Sequence, residues 1–420
     1  MASTSARCAT IACAWSRRWS GGLAGLLAHR GITVFRANAA FHADETAPAT
    51  SNHIVHLVPS PDQSDILTYH KADVPEPSGP TMDLTATNIV IATGAKPRPL
   101  PGNPFAGALI DSTQALEVNE FPSSAVIIGA GAIALEFASM WNAAGSKVTL
   151  LIRKDRVLSA WDRRAGTTLT RELKRHGVNI ITRASVTHVD TGANLGATVH
   201  YTREGQDGEQ SVWGEIALVA IGRDPITDPA WGVTIDDHGH VATDAYGRTD
   251  KPGVWAVGDV TAGHALAHRA FEQGIVIAET IAGLNPKPVD EATVPQIVFS
   301  FPEAASVGLT VEQAQAREDL IEIKETNYPM LANARMLMSG TAGSLTIVSG
   351  CDAANPDTPR VLGVHMVSQM ASDIIAEAEQ LVGNHVPLAD AARLVHPHPT
   401  FSETLGEALL KADGRPLHTR

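Results

Sequence analysis

Two groups of residues in this chain could carry chemistry. The first is His396-Pro-His398-Pro-Thr-Phe-Ser-Glu403 near the C-terminus. A histidine exchanges a proton near neutral pH, and a carboxylate partner fixes its tautomer and holds the imidazolium once formed. Pro399 is placed to begin a helix, with His398 just before it and Glu403 in its early turns, so the two groups can meet. A solvated proline-rich turn is the competing reading. The second group is Ile128-Gly129-Ala130-Gly131-Ala132-Ile133-Ala134, which fits G-x-G-x-x-[G/A]. Gly129 permits the tight turn, Gly131 lets backbone approach a pyrophosphate at a helix start, and Ala134 is small enough for close helix–strand contact. Such a motif alone is weak, and its context decides.

The elements around it supply that context. Ala125–Ile128 reads as a strand and Ala132–Ala144 as an amphipathic helix closed by Gly145. Lys147–Ile152 is the next strand, Thr168–His176 a helix stopped by Gly177, and Val178–Ile181 a third strand. This alternation predicts a doubly wound, Rossmann-like α/β domain with a parallel sheet. An acidic residue ending the second strand would accept from the ribose 2′-hydroxyl; here Ile152 stands there, followed by Arg153-Lys154-Asp155-Arg156. These cations suit a 2′-phosphate and favour NADP over NAD, although they also fit a solvated charged turn. Residues 196–220 read as an antiparallel meander leading into a strand over Ile216–Gly222. From about Val294 the pattern is α+β, with a helix over Ala371–Val382 and another at the C-terminus. Before the glycine turn, residues 31–41 read as a strand and its turn. Residues 42–84 read as a breaker-rich surface excursion, and Asn88–Gly94 as a buried strand ended by Lys96-Pro-Arg-Pro-Leu-Pro101.

Composition narrows the class. A chain of 420 residues and 44% hydrophobic content predicts two to three domains. A net charge of −13 disfavours nucleic acid as partner, and no apolar run is long enough to span a bilayer. Three cysteines, Cys8, Cys13 and Cys351, make no disulfide framework and point to a reducing compartment. The first acidic residue is Asp44, so the Ala/Ser/Arg-rich start reads as a short basic helix or as a transit peptide. The cytoplasm is the expected location, with mitochondria as the alternative.

From about Ser20 onward the chain resembles the pyridine nucleotide-disulfide oxidoreductases, and within them the dihydrolipoamide dehydrogenases. The resemblance rests on Gly21-Gly-Leu-Ala-Gly25 before a Gly-Ile-Thr-Val strand, Ile91-Ala-Thr-Gly94, Val254-Trp-Ala-Val-Gly-Asp259, Leu266-Ala-His268 and the His396–Glu403 motif. It implies an FAD domain (residues 1–120 and 250–293), an NAD(P) domain (121–249) and a dimerisation domain (294–420). It implies a homodimer, because the terminal histidine of this family reaches the partner subunit's disulfide. Electrons would pass from a dithiol, on a lipoyl-bearing protein or a small molecule, through a redox disulfide and FAD to NAD(P). His398 would be the acid/base and Glu403 its orienter. Thr93 and Gly94 would lie on a flavin-contacting strand, Asp259 would meet the ribityl chain with the Ala267 backbone nearby, and Gly222 would line the nicotinamide cofactor. Glu136 matches a glutamate that pairs with a lysine beside the flavin.

The chain also departs from the family pattern. The sequence holds no first strand–glycine-turn–helix for FAD and no Ile-Pro-Ser-Lys after a C-x4-C pair, so the FAD domain is expected to be incomplete and the lysine partner of Glu136 is missing. Cys8 and Cys13 have the redox spacing, and Arg7 adjoins them, but the flanking residues differ and the spacing is read as coincidental. Two alternatives therefore stand beside the enzyme: an inactive NAD(P)-binding remnant without flavin, and a glutathione-reductase-like NADPH enzyme. A split enzyme with its FAD half on another polypeptide is a further one.

Overall fold

The computed structural model describes residues 20–42, 52–60, 67–69, 81–192, 196–340 and 342–419. Cys8, Cys13 and most of the basic leader lie outside the described residues. The chain forms two compact units: one from described residues up to Lys96 with Arg223–Val289, the other from Pro97–Gly222 with Asp290–Arg420.

The second unit contains the parallel sheet. Ser124–Ile128 and Lys147–Ile152 are nearly continuous apolar runs, the pattern of strands covered on both faces. The strand order is Asn179–Thr182, Lys147–Ile152, Ser124–Ile128, Ile216–Val219 and Leu109–Ile110, with each neighbouring pair parallel. Helices Ala132–Ala143 and Arg163–Arg175 follow the first two strands of the motif. Ile127, Leu135, Trp141, Leu150 and Leu169 are fully buried in the shared core. The second helix starts earlier than its apolar periodicity predicts, because Asp162 Oδ1 accepts from the Ala165 amide at 2.8 Å and caps it. The antiparallel meander also starts earlier, as three strands: Ala184–Asp190, Ala197–Arg203 and Gln210–Gly214. Ala197, Val199 and Tyr201 point inward and are buried, while Thr198 and His200 alternate to the outer face.

The C-terminal part of this unit is α+β. Strands Gln296–Val298, Glu303–Gly308, Asn355–Ser368, Ser344–Asp352 and Leu320–Pro329 form one antiparallel sheet in that order. Helices Ala371–Gly383 and Glu403–Ala412 pack apolar faces into its core through Ile375, Ala378, Leu405 and Leu409. Cys351, on the Ser344–Asp352 strand, is completely buried.

The first unit corrects one expectation. Residues 42–84 are not solely a surface excursion: His53–Val58 and Met82–Ala86 join Asn38–Phe41 in an antiparallel sheet, and Leu67–Tyr69 pairs with Val34–Arg36. The segment His53-Ile-Val-His-Leu-Val alternates, and its inward residues His53 and Leu57 are buried. The flanking proline and aspartate residues masked that period. Ile89–Ile91 runs parallel to Val254–Ala256 as a two-stranded ribbon. Ile91, Val254, Ala256, Val260 and Trp231 form its core, with Phe41 stacked on Trp231 at 5.9 Å. The expected buried strand is covered on one face only: Ile91 lies in the core, whereas Val90, which points to the opposite face, is 44% exposed.

Candidate cofactor and proton-transfer sites

The glycine turn lies where the strand order reverses, between Lys147–Ile152 on one side of Ser124–Ile128 and Ile216–Val219 on the other. In open α/β sheets this is where ligands bind. Gly129 has φ +143°, and a Cβ on it would stand 2.2 Å from the Ala220 carbonyl oxygen. Only glycine fits. Gly131 is different: it is the N-cap of helix Ala132–Ala143, has φ −91° and makes no side-chain cap. A Cβ there would meet nothing within 4 Å, so the space in front of the helix start is open. Amides at that end would hold a diphosphate. Ala134 is fully buried, with its Cβ 3.4 Å from where a Gly129 Cβ would be. The residues present fit the pyrophosphate of a dinucleotide.

Gly222 follows the Ile216–Val219 strand with φ +130°. Its carbonyl accepts from the Arg98 amide at 3.0 Å, and the Arg98 guanidinium lies 3.7 Å from the position of a Gly222 Cβ. Sequence reasoning missed Arg98, since Lys96-Pro-Arg-Pro reads only as a breaker. Ile152 is buried at the end of its strand, and Arg153 and Lys154 are exposed without an ion pair among the described residues. Arg156 is committed elsewhere, to Asp155 at 3.2 Å and to the Ser159 carbonyl. Glu136, on the dinucleotide helix, accepts from the Phe299 amide at 3.1 Å, and Ser139 Oγ accepts from the Phe301 amide at 3.1 Å. Burial raises the Glu136 pKa, and the Phe299 amide only partly offsets it.

His398 and Glu403 do meet. His398 Nδ1 is 2.7 Å from Glu403 Oε1, and Glu403 Oε2 accepts from the Thr400 amide at 2.7 Å. The local structure corrects one detail: Pro399 does not begin the helix, whose first residue is Glu403. Thr400 Oγ1 instead donates to the Pro397 carbonyl, closing a turn that the helix cannot include. The His398 side chain is 76% exposed against 21% for Glu403, so the imidazole stands in solvent on a fixed carboxylate. Burial raises the Glu403 pKa, but the Thr400 amide and His398 outweigh it, and the net shift is downward. Behind this pair, His396 Nε2 meets Glu377 Oε1 at 2.9 Å, a hydrogen bond that raises the His396 pKa. Gly406 makes room for that ring, since a Cβ there would lie 2.4 Å from His396 Nδ1. Sequence spacing gave no sign of the His396–Glu377 bond, which joins residues on separate elements.

On the first unit, Thr93 Oγ1 donates to the Ile226 carbonyl at 2.7 Å, and the Gly94 carbonyl accepts from the Ile226 amide at 2.9 Å. Asp259 sits in the short turn Gly258–Val260, and Ala267 opens helix Ala267–Ile281. Turn and helix are held together by the Gly258 amide donating to Gln273 Oε1 at 3.0 Å. The described residues contain no second glycine turn of the Gly129–Gly131 kind.

Residues 17–274 match the family model for pyridine nucleotide-disulphide oxidoreductases, and residues 294–409 match the dimerisation domain of the same family. The chain belongs to this family. It is 38% identical over 341 residues to a dihydrolipoyl dehydrogenase of Cupriavidus necator, covering 80% of this chain and 70% of that one. A dihydrolipoyl dehydrogenase of Bacillus subtilis is 36% identical with the same coverage. Among solved structures, LpdA from Mycobacterium tuberculosis superposes with a TM-score of 0.74 at 25% identity, covering 89% of this chain and 76% of that one. The HOCl-induced flavoprotein disulfide reductase RclA from Escherichia coli gives 0.69 at 26% identity, covering 78% and 74%. The chain is therefore an oxidoreductase of dihydrolipoyl dehydrogenase type by kinship, in a family that uses FAD and NAD(P). Among the described residues, no helix is long and apolar enough to cross a membrane.

Proposed function

We propose that this chain transfers electrons from a dithiol to NAD(P), with dihydrolipoamide or a lipoyl-bearing protein as donor and a homodimer as the working unit. The observation that carries this is the His398–Glu403 pair: a solvent-facing imidazole fixed at 2.7 Å on a carboxylate that a backbone amide also holds. Glu403 takes the Nδ1 side, so His398 Nε2 is the atom that accepts the proton of a substrate thiol and returns it. Glu403 steadies the imidazolium while that proton is held. FAD, when bound, supplies the two-electron step between thiol and nicotinamide, and Thr93, Gly94, Asp259 and Ala267 are the residues that would contact it. Gly129, Gly131 and Ala134 shape the NAD(P) diphosphate site and Gly222 lines the cofactor, while Glu136, on the same helix, is the counterpart of the family glutamate that stands beside the flavin. Arg153 and Lys154, beyond Ile152, favour NADP. The functional division is an FAD portion (1–120 and 250–293), an NAD(P) domain (121–249) and a dimerisation domain (294–420), working in the cytoplasm.

The test is the visible spectrum of the purified chain with flavin counted per polypeptide, followed by dihydrolipoamide-dependent reduction of NAD+ and NADP+. The reading expects a bound flavin and an activity that His398→Gln lowers by about 10²–10⁴-fold with little change in nucleotide affinity. A second reading, a nucleotide-binding chain without thiol chemistry, is favoured by there being one such glycine turn among the described residues. A colourless protein that binds NADPH and reduces nothing supports that second reading and overturns the first.

A further inference from the structure

The outer face of the sheet Ala184–Asp190, Ala197–Arg203, Gln210–Gly214 carries a group that neither nucleotide binding nor proton transfer uses. His188 and His200 are register partners on adjacent strands, so their side chains leave the same face. Their rings stack 4.1 Å apart at 9°. Along one edge, Asp190 Oδ2 is 3.1 Å from His200 Nε2 and 3.9 Å from His188 Nε2. Along the other, Glu209 spans both rings, 3.6 Å from His200 Nδ1 and 3.8 Å from His188 Nδ1. Thr187 Oγ1 donates to Glu209 Oε1 at 2.7 Å and holds it there. One ligand atom from each of His188, Asp190 and His200 lies within 4.8 Å of the other two.

We propose that His188, Asp190 and His200 form a binding site for a borderline divalent cation such as Zn2+, with Glu209 as the residue that orients both rings. A neutral imidazole carries its proton on one nitrogen and offers a lone pair on the other. His200 Nε2 stands at hydrogen-bond distance from Asp190 Oδ2, a contact that a cation would replace. With both protons then on Nδ1, on the side of Glu209, both Nε2 lone pairs and the Asp190 carboxylate face one point. Two imidazoles and a carboxylate suit Zn2+, Co2+ or Ni2+ rather than Mg2+ or Ca2+. Carboxylates hydrogen-bonded to the far nitrogen of a ligating histidine are the usual outer support of such sites. Ligands about 2.0–2.1 Å from a tetrahedral zinc lie roughly 3.4 Å apart, so small side-chain rotations close the triangle. Water completes the coordination, because the face is open to solvent.

The experiment is a calorimetric titration of the full chain, freed of metal with chelator, with Zn2+ alone. One equivalent per chain is expected at this site. Asp190→Asn and His200→Ala each weaken it by more than about tenfold, and Glu209→Gln weakens it while keeping the stoichiometry. His240→Gln, at the separate His240–Asp236 pair, leaves it unchanged. Melting curves without metal check that the variants fold. Asp190→Asn, which keeps size and shape, serves if His200→Ala does not. The proposal is overturned if the parent takes up no Zn2+, or if Asp190→Asn binds it as the parent does.

Discussion

Gly129 and Gly131 stand two residues apart and answer to different constraints, which substitution separates. Alanine at 129 drives a Cβ into the Ala220 carbonyl at 2.2 Å, so Gly129→Ala should cost about 1–3 kcal/mol in chemical denaturation and weaken NADPH binding as well. Alanine at 131 meets no protein atom, so Gly131→Ala should stay within about 1 kcal/mol of the parent and still lose nucleotide affinity. Equal losses of stability would refute this division. The carboxylates at the C-terminus give opposite pH signatures. The lowered pKa of Glu403 means that its contribution is present above the ordinary carboxylate value, about 4.3, and is lost as pH falls through its folded value. The melting-temperature gap between the parent and Glu403→Gln should therefore narrow on acidification below that range. The raised pKa of His396 means that its bond to Glu377 contributes fully below about pH 6.5 and fades as pH rises through the folded value. The gap between the parent and Glu377→Gln should be wider at pH 6 than at pH 9. The His398–Glu403 pairing was legible in the sequence because both residues share one turn. His396–Glu377 was not, since a helix and a distant loop bring it together.

At the level of elements, helix Ala132–Ala143 is the part most constrained by its neighbours. Ala134 is fully buried against the glycine turn, so Ala134→Val overpacks that contact and should destabilise by about 1–3 kcal/mol, read from the denaturation midpoint. A neutral result would show that helix and turn can move apart. Apolar runs made this region readable: the strand over Lys147–Ile152 lies where its sequence places it. Errors arose where a side chain rather than a period sets the boundary. Asp162 starts a helix ahead of its apolar residues, and the Thr400 turn delays one behind Pro399. His53–Val58 was hidden because turn-forming neighbours outweighed a short alternating run.

For the whole molecule, kinship was readable from scattered short motifs. In the ribbon of Ile89–Ile91 and Val254–Ala256, two strands carry a core on one side and leave Val90 open on the other. Cys351 offers an independent way to follow the chemistry. It is buried, and burial chiefly raises its pKa, so in the native chain it should be silent to thiol reagents. The sequence has three cysteines, so any colour released from a chromogenic disulfide by the folded protein counts Cys8 and Cys13 alone. Two equivalents that vanish on mild oxidation and return with dithiothreitol would reveal a reversible couple, and an unchanging titre would identify two bystanders. The silent cysteine thus turns a bench titration into a count of the two N-terminal thiols and of the one electron pair they could hold.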